Sequence, residues 1–437
     1  MATEAIQPNP WMILPFGGLL AAIALGPLLA LDGWRKHYPK VAGALAVVTL
    51  AYYFFGLHAP QRVWPVAHEY VSFLALIGSL YVVSGGIHLR IQGEATPRAN
   101  VAFLLLGGLA ANVLGTTGAS MLLIRPWLRM NKYRVTAHHV VFFIFIVANV
   151  GGGLTPIGDP PLFLGYLNGV PFWWVARHAW PAWVVGMAIL LGMFYLVDRH
   201  NYLRAPLPVR AAITQPPERW RLEGLFNLFF LAVLLAAVFV SHPVFLREGL
   251  MAGAAAGSWF TTDRRVHEAN RFHWEPIKEV TILFAGIFAT MIPALDWLQA
   301  NAGSLGRPTA GSFYWGCGLL SSVLDNAPTY LAFLSAALGN RAGPGASLSP
   351  ALATLPAGPA PGALLVTDSA SAAILLAISI SAVFFGGCTY LGNGPNFLIK
   401  SIADHQKVHT PTFLGYIGKF AVPFLVPMLV LVWLLFF

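Results

Sequence analysis

A short break built from glycine, proline and an acid or amide is written twice in this chain. The first copy reads Gly152-Gly-Leu-Thr-Pro-Ile-Gly-Asp-Pro-Pro-Leu-Phe-Leu164 and the second Gly386-Gly-Cys-Thr-Tyr-Leu-Gly-Asn-Gly-Pro-Asn-Phe-Leu398. Gly152/Gly386, Gly153/Gly387, Thr155/Thr389, Gly158/Gly392, Pro161/Pro395, Phe163/Phe397 and Leu164/Leu398 coincide without a gap. Such residues interrupt a helix, because glycine has no side chain to favour it and proline has no amide donor. Inside a bilayer an interruption survives only where protein or a water-filled cavity satisfies the freed backbone groups. Matching breaks in two halves of an apolar chain point to the binding site of a transporter.

The surroundings of the breaks are those of a membrane protein. Hydrophobic residues make up 57% of the chain and charged residues 10%, where a soluble domain carries about 25% charged. Segments near 11–31, 41–57, 66–88, 137–164, 179–198, 224–242, 245–260, 277–299, 371–402 and 413–437 approach the ~20 apolar residues of a spanning helix. Cys317 and Cys388 both lie in apolar surroundings and suggest neither a disulfide framework nor a metal cluster. Segment 1–10 carries Glu4 but no Lys or Arg, so the first helix is expected to be retained rather than cleaved.

The repeat extends beyond the breaks. A shift of 210 maps Val41–Ala46 onto Met251–Ala256, Glu69 onto Glu279, and Gly108–Leu114 onto Gly318–Leu324. At the breaks the shift is 234, and the 24 extra residues match Arg341–Leu364, a Gly/Pro/Ala/Ser-rich stretch that reads as an inserted loop. The chain divides into repeats at 1–210 and 211–437. Each holds five spans, one of them a broken helix (near 137–164 and near 371–402), plus an apolar segment with a polar middle, near 99–130 and 310–339. These two segments read as re-entrant hairpins. An odd number of spans requires the second repeat to be inserted inverted, with both termini outside. On that topology only Arg62, Arg177, Arg247, Arg307 and Arg341 of the 26 basic residues face outward, as the positive-inside rule demands. The net charge of +9 is then the imprint of insertion and anionic lipid, and no nucleic-acid partner is expected.

The fold class expected is therefore an all-α integral membrane protein of two inverted repeats. Its four polar clusters should meet near mid-membrane. The hairpin tips contribute Asn112, Thr116, Thr117, Ser322, Asp325, Asn326 and Thr329; the breaks contribute Gly152, Gly153, Thr155, Asp159, Thr389, Asn393 and Asn396. Hydroxyl, amide, carboxylate and unwound carbonyl oxygens suit a small hard cation, and the clusters hold no matching set of Cys or His for a softer metal. Simple helix capping is the competing account. Asp159 precedes two prolines, and Asp325 and Asn326 precede a hairpin arm. An acid at bilayer depth is nevertheless functional by default, so Asp159 and Asp325 are the proton-coupling candidates. Glu69 and Glu279 are expected to face the interface, and His138 and His139, beside the basic loop at Lys132 and Arg134, a solvated surface.

At these motifs the chain resembles the ion-transporter superfamily of inverted-repeat secondary carriers. That group includes sodium/proton antiporters, citrate and dicarboxylate carriers, and arsenite exporters. The segment from Asn149 to Pro161 is similar to its first broken helix, and Ser322-x-x-Asp-Asn-Ala-Pro-Thr329 to a hairpin tip. The resemblance covers about residues 11–437. It implies a homodimer whose protomers each combine a scaffold with a moving part that carries both hairpins. Dicarboxylate carriers place Ser-Asn-Thr at both tips, where this chain has Gly115-Thr116-Thr117 and Asp325-Asn326-Ala327. Asp325 puts negative charge where a carboxylate substrate wants donors, so sodium/proton antiport is the first reading and citrate or dicarboxylate transport the second. Arsenite efflux follows behind these. The solutes are then Na⁺ and H⁺, and no cofactor is expected. An intramembrane aspartyl protease built on Asp159 and Asp325 would need glycine where Pro156 stands, so the chain is not expected to be an enzyme. A bacterial inner membrane is the expected location.

Overall fold

The computed structural model describes residues 7–29, 31–90, 96–205, 221–240, 242–301, 309–342 and 361–437. Most of the expected loop at Arg341–Leu364, the junction between repeats at 210/211, and Arg210, Arg219 and Arg307 lie outside the described residues. The described residues are overwhelmingly helical. Helices α1 (Leu14–Leu29), α2 (Leu31–Ala51) and α3 (Val63–Gly85) precede a long segment, α4 (Pro97–Met130). Next come α5 (Ala137–Ile146), α6 (Pro160–Leu167) and α7 (Trp174–Arg204). The second half contains α8 (Asn227–Ala237), α9 (Leu246–Thr261), α10 (Arg264–Ala269) and α11 (Glu275–Asn301). It continues with α12 (Ala310–Ser321), α13 (Asn326–Ala342), the single turn α14 (Pro361–Leu364), α15 (Ser369–Phe385) and α16 (Gly394–His405). The C-terminal helix begins with α17 (Phe413–Tyr416), widens into a π-helical stretch at Ile417–Leu425 around Pro423, and ends as α18 (Val426–Phe436). One element was not expected: β1 (His88–Arg90) pairs antiparallel with β2 (Arg221–Glu223).

Segment α4 is a hairpin. Its helix is interrupted at Gly115, whose φ of 72° and ψ of 154° favour glycine. In a straight helix Phe103 and Trp127 would stand about 36 Å apart at 1.5 Å per residue. Their rings instead stack with centroids 5.4 Å apart, and Asn100 Nδ2 donates to Asn131 Oδ1 at 2.9 Å. The two arms lie side by side, so both ends of α4 emerge on the same side of the tip. Helices α12 and α13 make the second hairpin, with Phe313 and Phe333 edge to face at 5.7 Å.

Among the described residues, seven helices are long and apolar enough to cross a membrane: Lys36–Gly56, Pro60–Gly85, Pro97–Met130, Trp174–Arg204, Glu275–Leu298, Ser369–Cys388 and Phe413–Phe436. Pro97–Met130 is the hairpin and is long only because two arms run on in sequence. Pro10–Gly26, Ala137–Gly152 and Asn227–Ala237 are shorter apolar helices, where ten full spans were expected. A broken helix explains one of them, since α5 ends at the first break and α6 resumes beyond it. Every residue from Val140 to Val147 is fully buried, so α5 is apolar all round because it lies inside the protein.

Two expectations about charged and polar side chains are corrected here. His138 and His139 do not form a solvated face; they are buried at the mouth of the first hairpin. Their imidazole Nε2 atoms lie 3.3 Å and 3.2 Å from Asp198 Oδ1, and Arg134 and Asn100 hold the same carboxylate. Glu69 likewise does not face an interface. It is buried in α3. Glu279, its counterpart at a shift of 210, is exposed.

Candidate functional site

The two hairpin tips and the two breaks meet around Asp159. Its carboxylate is fully buried and accepts from Thr116 Oγ1 at 3.2 Å, Asn326 Nδ2 at 3.1 Å and Asn393 Nδ2 at 3.3 Å. Thr116 comes from the first tip, Asn326 from the second and Asn393 from the second break. Asp159 stands at the N-cap of α6, yet its side chain makes no capping hydrogen bond. The carboxylate has turned away from its own helix toward the tips, which decides against a simple capping role. The groups that bond it are all neutral. Four helix N-termini open here, those of α6, α13, α16 and the second arm of α4, and their aligned amides favour negative charge at this point. Asn326 Oδ1 is a buried acceptor without a hydrogen-bond partner among the described residues.

The tips are tied to the breaks by the same bonds twice. Thr155 Oγ1 donates to the Asn112 carbonyl at 2.6 Å, and Thr389 Oγ1 to the Ser322 carbonyl at 2.6 Å. The Thr116 amide donates to the Gly158 carbonyl at 2.8 Å, and the Asn326 amide to the Gly392 carbonyl at 3.2 Å. Thr155 and Thr389 also accept from the amides of Gly158 and Gly392 at 3.1 Å and 3.2 Å. Partners in these pairs differ by 210 at the tips and 234 at the breaks. Unwound backbone is therefore satisfied by protein, as a low-dielectric setting requires.

Close backbone approach is the reason for glycine at the first break. A Cβ on Gly158 would sit 2.2 Å from the Gly152 carbonyl oxygen, and one on Gly152 would sit 2.8 Å from the Gly158 oxygen. Gly158→Ala should therefore destabilise the folded protein by about 1–3 kcal/mol, the usual cost of forced overpacking. The change should appear as a lower unfolding midpoint in detergent. An unchanged midpoint would mean that the break is looser than its contacts indicate.

From residue 5 to 437 the sequence matches the protein family described as "Putative citrate transport". The chain belongs to that family. It is an integral, multi-pass, all-α membrane protein of a transporter family. It is also similar to "Inner membrane protein YbiR" of Escherichia coli (strain K12), 23% identical over 307 residues, covering 67% of this chain and 77% of that protein. A "46 kDa membrane protein" of Mycobacterium leprae (strain TN) is 24% identical over 402 residues, covering 86% of this chain and 88% of that protein.

The remaining site residues surround this centre without all touching Asp159. Asn112 braces the first break, donating to the Gly151 carbonyl at 2.6 Å and accepting from the Leu154 amide at 3.0 Å. Gly152 and Gly153 are buried in the break itself. Asn396 Oδ1 accepts from Asn149 Nδ2 at 2.8 Å, and its own amide closes the second break on Gly386 and Thr389. Thr117 lines a neighbouring apolar cavity bounded by Phe73, Leu80, Pro156 and Phe163. Ser322 and Thr329 bond back to carbonyls of their own segments, Leu319 and Asp325. Asp325 accepts from the Ala327 amide at 3.1 Å and so caps α13. It shares no hydrogen bond with Asp159. Asn149 was missed: it joins Asn393 and Asn396 across the two breaks. Its position at a shift of 234 is Val383, so comparing the repeats hides it.

Proposed function

We propose that this protein is a secondary active transporter in which Asp159 carries the coupling ion, exchanging sodium for protons by alternating access. The observation that carries the reading is the buried Asp159 carboxylate, held by neutral donors alone from Thr116, Asn326 and Asn393 where the tips and breaks meet. When Asp159 is ionised, a desolvated Na⁺ beside it gains two hard oxygens. When Asp159 is protonated, its hydroxyl can donate to Asn326 after rotation of the amide. One acid thus serves either ion but not both together, which is the requirement for exchange. Thr155, Thr389 and Asn393 hold the surrounding frame, and the charge of Asp325 draws cations to it. Free crossing of the unneutralised carboxylate is costly, which keeps the exchange coupled.

The architecture that goes with this reading is the inverted pair of repeats, 1–210 and 211–437, in a homodimer. Both termini lie outside a bacterial inner membrane, and the hairpins move against a scaffold. The doubled tip-to-break bonds support the repeat, and the distribution of Lys and Arg supports the orientation.

Citrate transport coupled to a cation is the second reading. The family description favours it, and so do the helix N-termini that open at the site, whose amides suit a carboxylate substrate. Purified protein in liposomes with an internal proton-sensitive dye separates the two. Na⁺, Li⁺, K⁺, citrate and arsenite are added in turn. Proton movement driven by Na⁺ alone supports antiport. Movement that requires citrate transfers the assignment to anion transport. No response to any of the five sinks both.

Asp325→Asn tests the division of labour between the two acids. Asparagine caps a helix as well as aspartate, so α13 should persist while the charge is lost. The expected result is a weaker apparent affinity for Na⁺, by about tenfold for roughly 1.4 kcal/mol of lost attraction, with the maximal rate largely kept. Complete loss of exchange would make Asp325 an ion ligand in its own right.

A further inference from the structure

Arg125 lies on the second arm of the first hairpin, nine residues beyond Thr116, or about 13 Å along the helix. It is only 6% exposed, and one of its guanidinium nitrogens, Nη1, is buried without a hydrogen-bond partner among the described residues. Arg129 stands four residues further along the same arm, one helical turn away on the same face, and among the described residues Arg125 enters no salt bridge. Buried guanidinium groups are ordinarily paired, because desolvating the charge is costly and each N–H needs an acceptor. Here a buried arginine instead has a second arginine one turn along its own arm, and like charge raises that cost.

The surroundings hold this arrangement in place. Tyr81 donates its hydroxyl to the His273 carbonyl at 2.8 Å, which fixes the end of α3 against the segment that carries Arg271. Asn270 Nδ2 donates to the Gly85 and Ile87 carbonyls at 2.8 Å each and closes the C-terminus of α3. Arg271 follows directly, in the left-handed region with φ of 44°. On the opposite side a Cβ on Gly118 would come within 3.2 Å of Ser84 Oγ, so the hairpin arm packs tightly on α3. Arg129 and Arg271 are both exposed, and Arg125 lies deeper. The positive-inside distribution assigns all three to the cytoplasmic face.

We infer that Arg125, Arg129 and Arg271 form an oxyanion site for a group carrying two or more negative charges, such as a polycarboxylate or a phosphate. Planar guanidinium groups bind carboxylate and phosphate oxygens in pairs, and Arg125 Nη1 supplies a donor that no described residue engages. The site is separate from Asp159 and shares only the hairpin arm with it. Its existence does not depend on which solute the carrier moves. Two sources offer the same chemistry: a dissolved anion from the cytoplasm, or the phosphate of an anionic lipid seated between helices.

The test uses full-length protein in nanodiscs. In phosphatidylcholine discs, calorimetric titration with citrate and with inorganic phosphate should show binding that weakens with added salt. Arg125→Gln should reduce it by about tenfold or more and exposed Arg271→Gln by several-fold, while Asp159→Asn should leave it intact. If neither anion binds, wild-type and Arg125→Gln proteins are compared in discs containing phosphatidylglycerol. A rise in unfolding midpoint for wild type alone identifies the lipid phosphate as the occupant. Equal behaviour of wild type and Arg125→Gln toward citrate, phosphate and phosphatidylglycerol overturns the site. Should Arg125→Gln fail to fold, Arg271→Gln decides, and no change in that variant overturns it as well. Failure of the Asp159 reading shows separately, in the liposome assay.

Discussion

Asp159→Asn should abolish sodium-driven proton movement while the protein still folds. The carboxylate is the one formally charged group within the ring of Thr116, Asn326 and Asn393, and it is fully buried. A desolvated cation that loses its counter-charge loses about 2–5 kcal/mol of binding. At about 1.4 kcal/mol per tenfold, that is roughly thirtyfold to several thousandfold in affinity. The fold should survive for a specific reason. The new amide would point a donor toward one of its asparagine neighbours, and Asn326 can answer by turning its unused oxygen inward. Dye-reported proton flux in liposomes, with the unfolding midpoint as control, measures both halves of this expectation. A variant that exchanges Na⁺ at the wild-type rate would leave Asp159 without a role in coupling. The same substitution bears on the citrate reading, because an anion carrier that uses this site for its cation would lose the dependence of citrate uptake on Na⁺.

Glycine, proline and the duplicated threonines made the tips and breaks legible before any coordinate, because local backbone chemistry sets where a helix must stop. Thr155 and Thr389 occupy matching positions in sequence and make matching bonds in space. What a repeat cannot reveal is an interaction between its copies. Asn149 reaches Asn396 across the two breaks, and Asn326 reaches Asp159 from the other half of the chain. Neither contact is encoded in any local pattern. The histidines were misread for a related reason: neighbouring Lys132 and Arg134 suggested a wet loop. Arg134 turns inward to Asp198, 64 residues away, and His138 and His139 follow it into the protein.

The network around Asp198 carries the largest expected effect on stability. Asp198 is fully buried and receives Arg134 through both oxygens, Asn100 Nδ2 at 2.9 Å, and the edges of two adjacent imidazoles tilted by 36°. Asn100 and Arg134 flank the two ends of the first hairpin, and Asp198 belongs to α7, so one carboxylate closes the hairpin mouth onto a neighbouring helix. Asp198→Ala strips the buried guanidinium of its carboxylate and Asn100 of an acceptor. Breaking a buried pair from one side costs about 3–5 kcal/mol, much of it the penalty for the charge left behind. The unfolding midpoint in detergent should fall sharply. Glu268→Ala, which breaks the exposed pair of Arg264 and Glu268 on α10, should leave it nearly unchanged, because water already screens that contact. Equal midpoints for the two variants would show that the buried network contributes no more than a surface pair. At temperatures where Asp198→Ala remains folded, it should still couple Na⁺ to protons, since Asp159 and its three donors belong to the other end of the hairpin. Loss of coupling in fully folded protein would mean that the mouth of the hairpin takes part in transport as well as in holding the arms together.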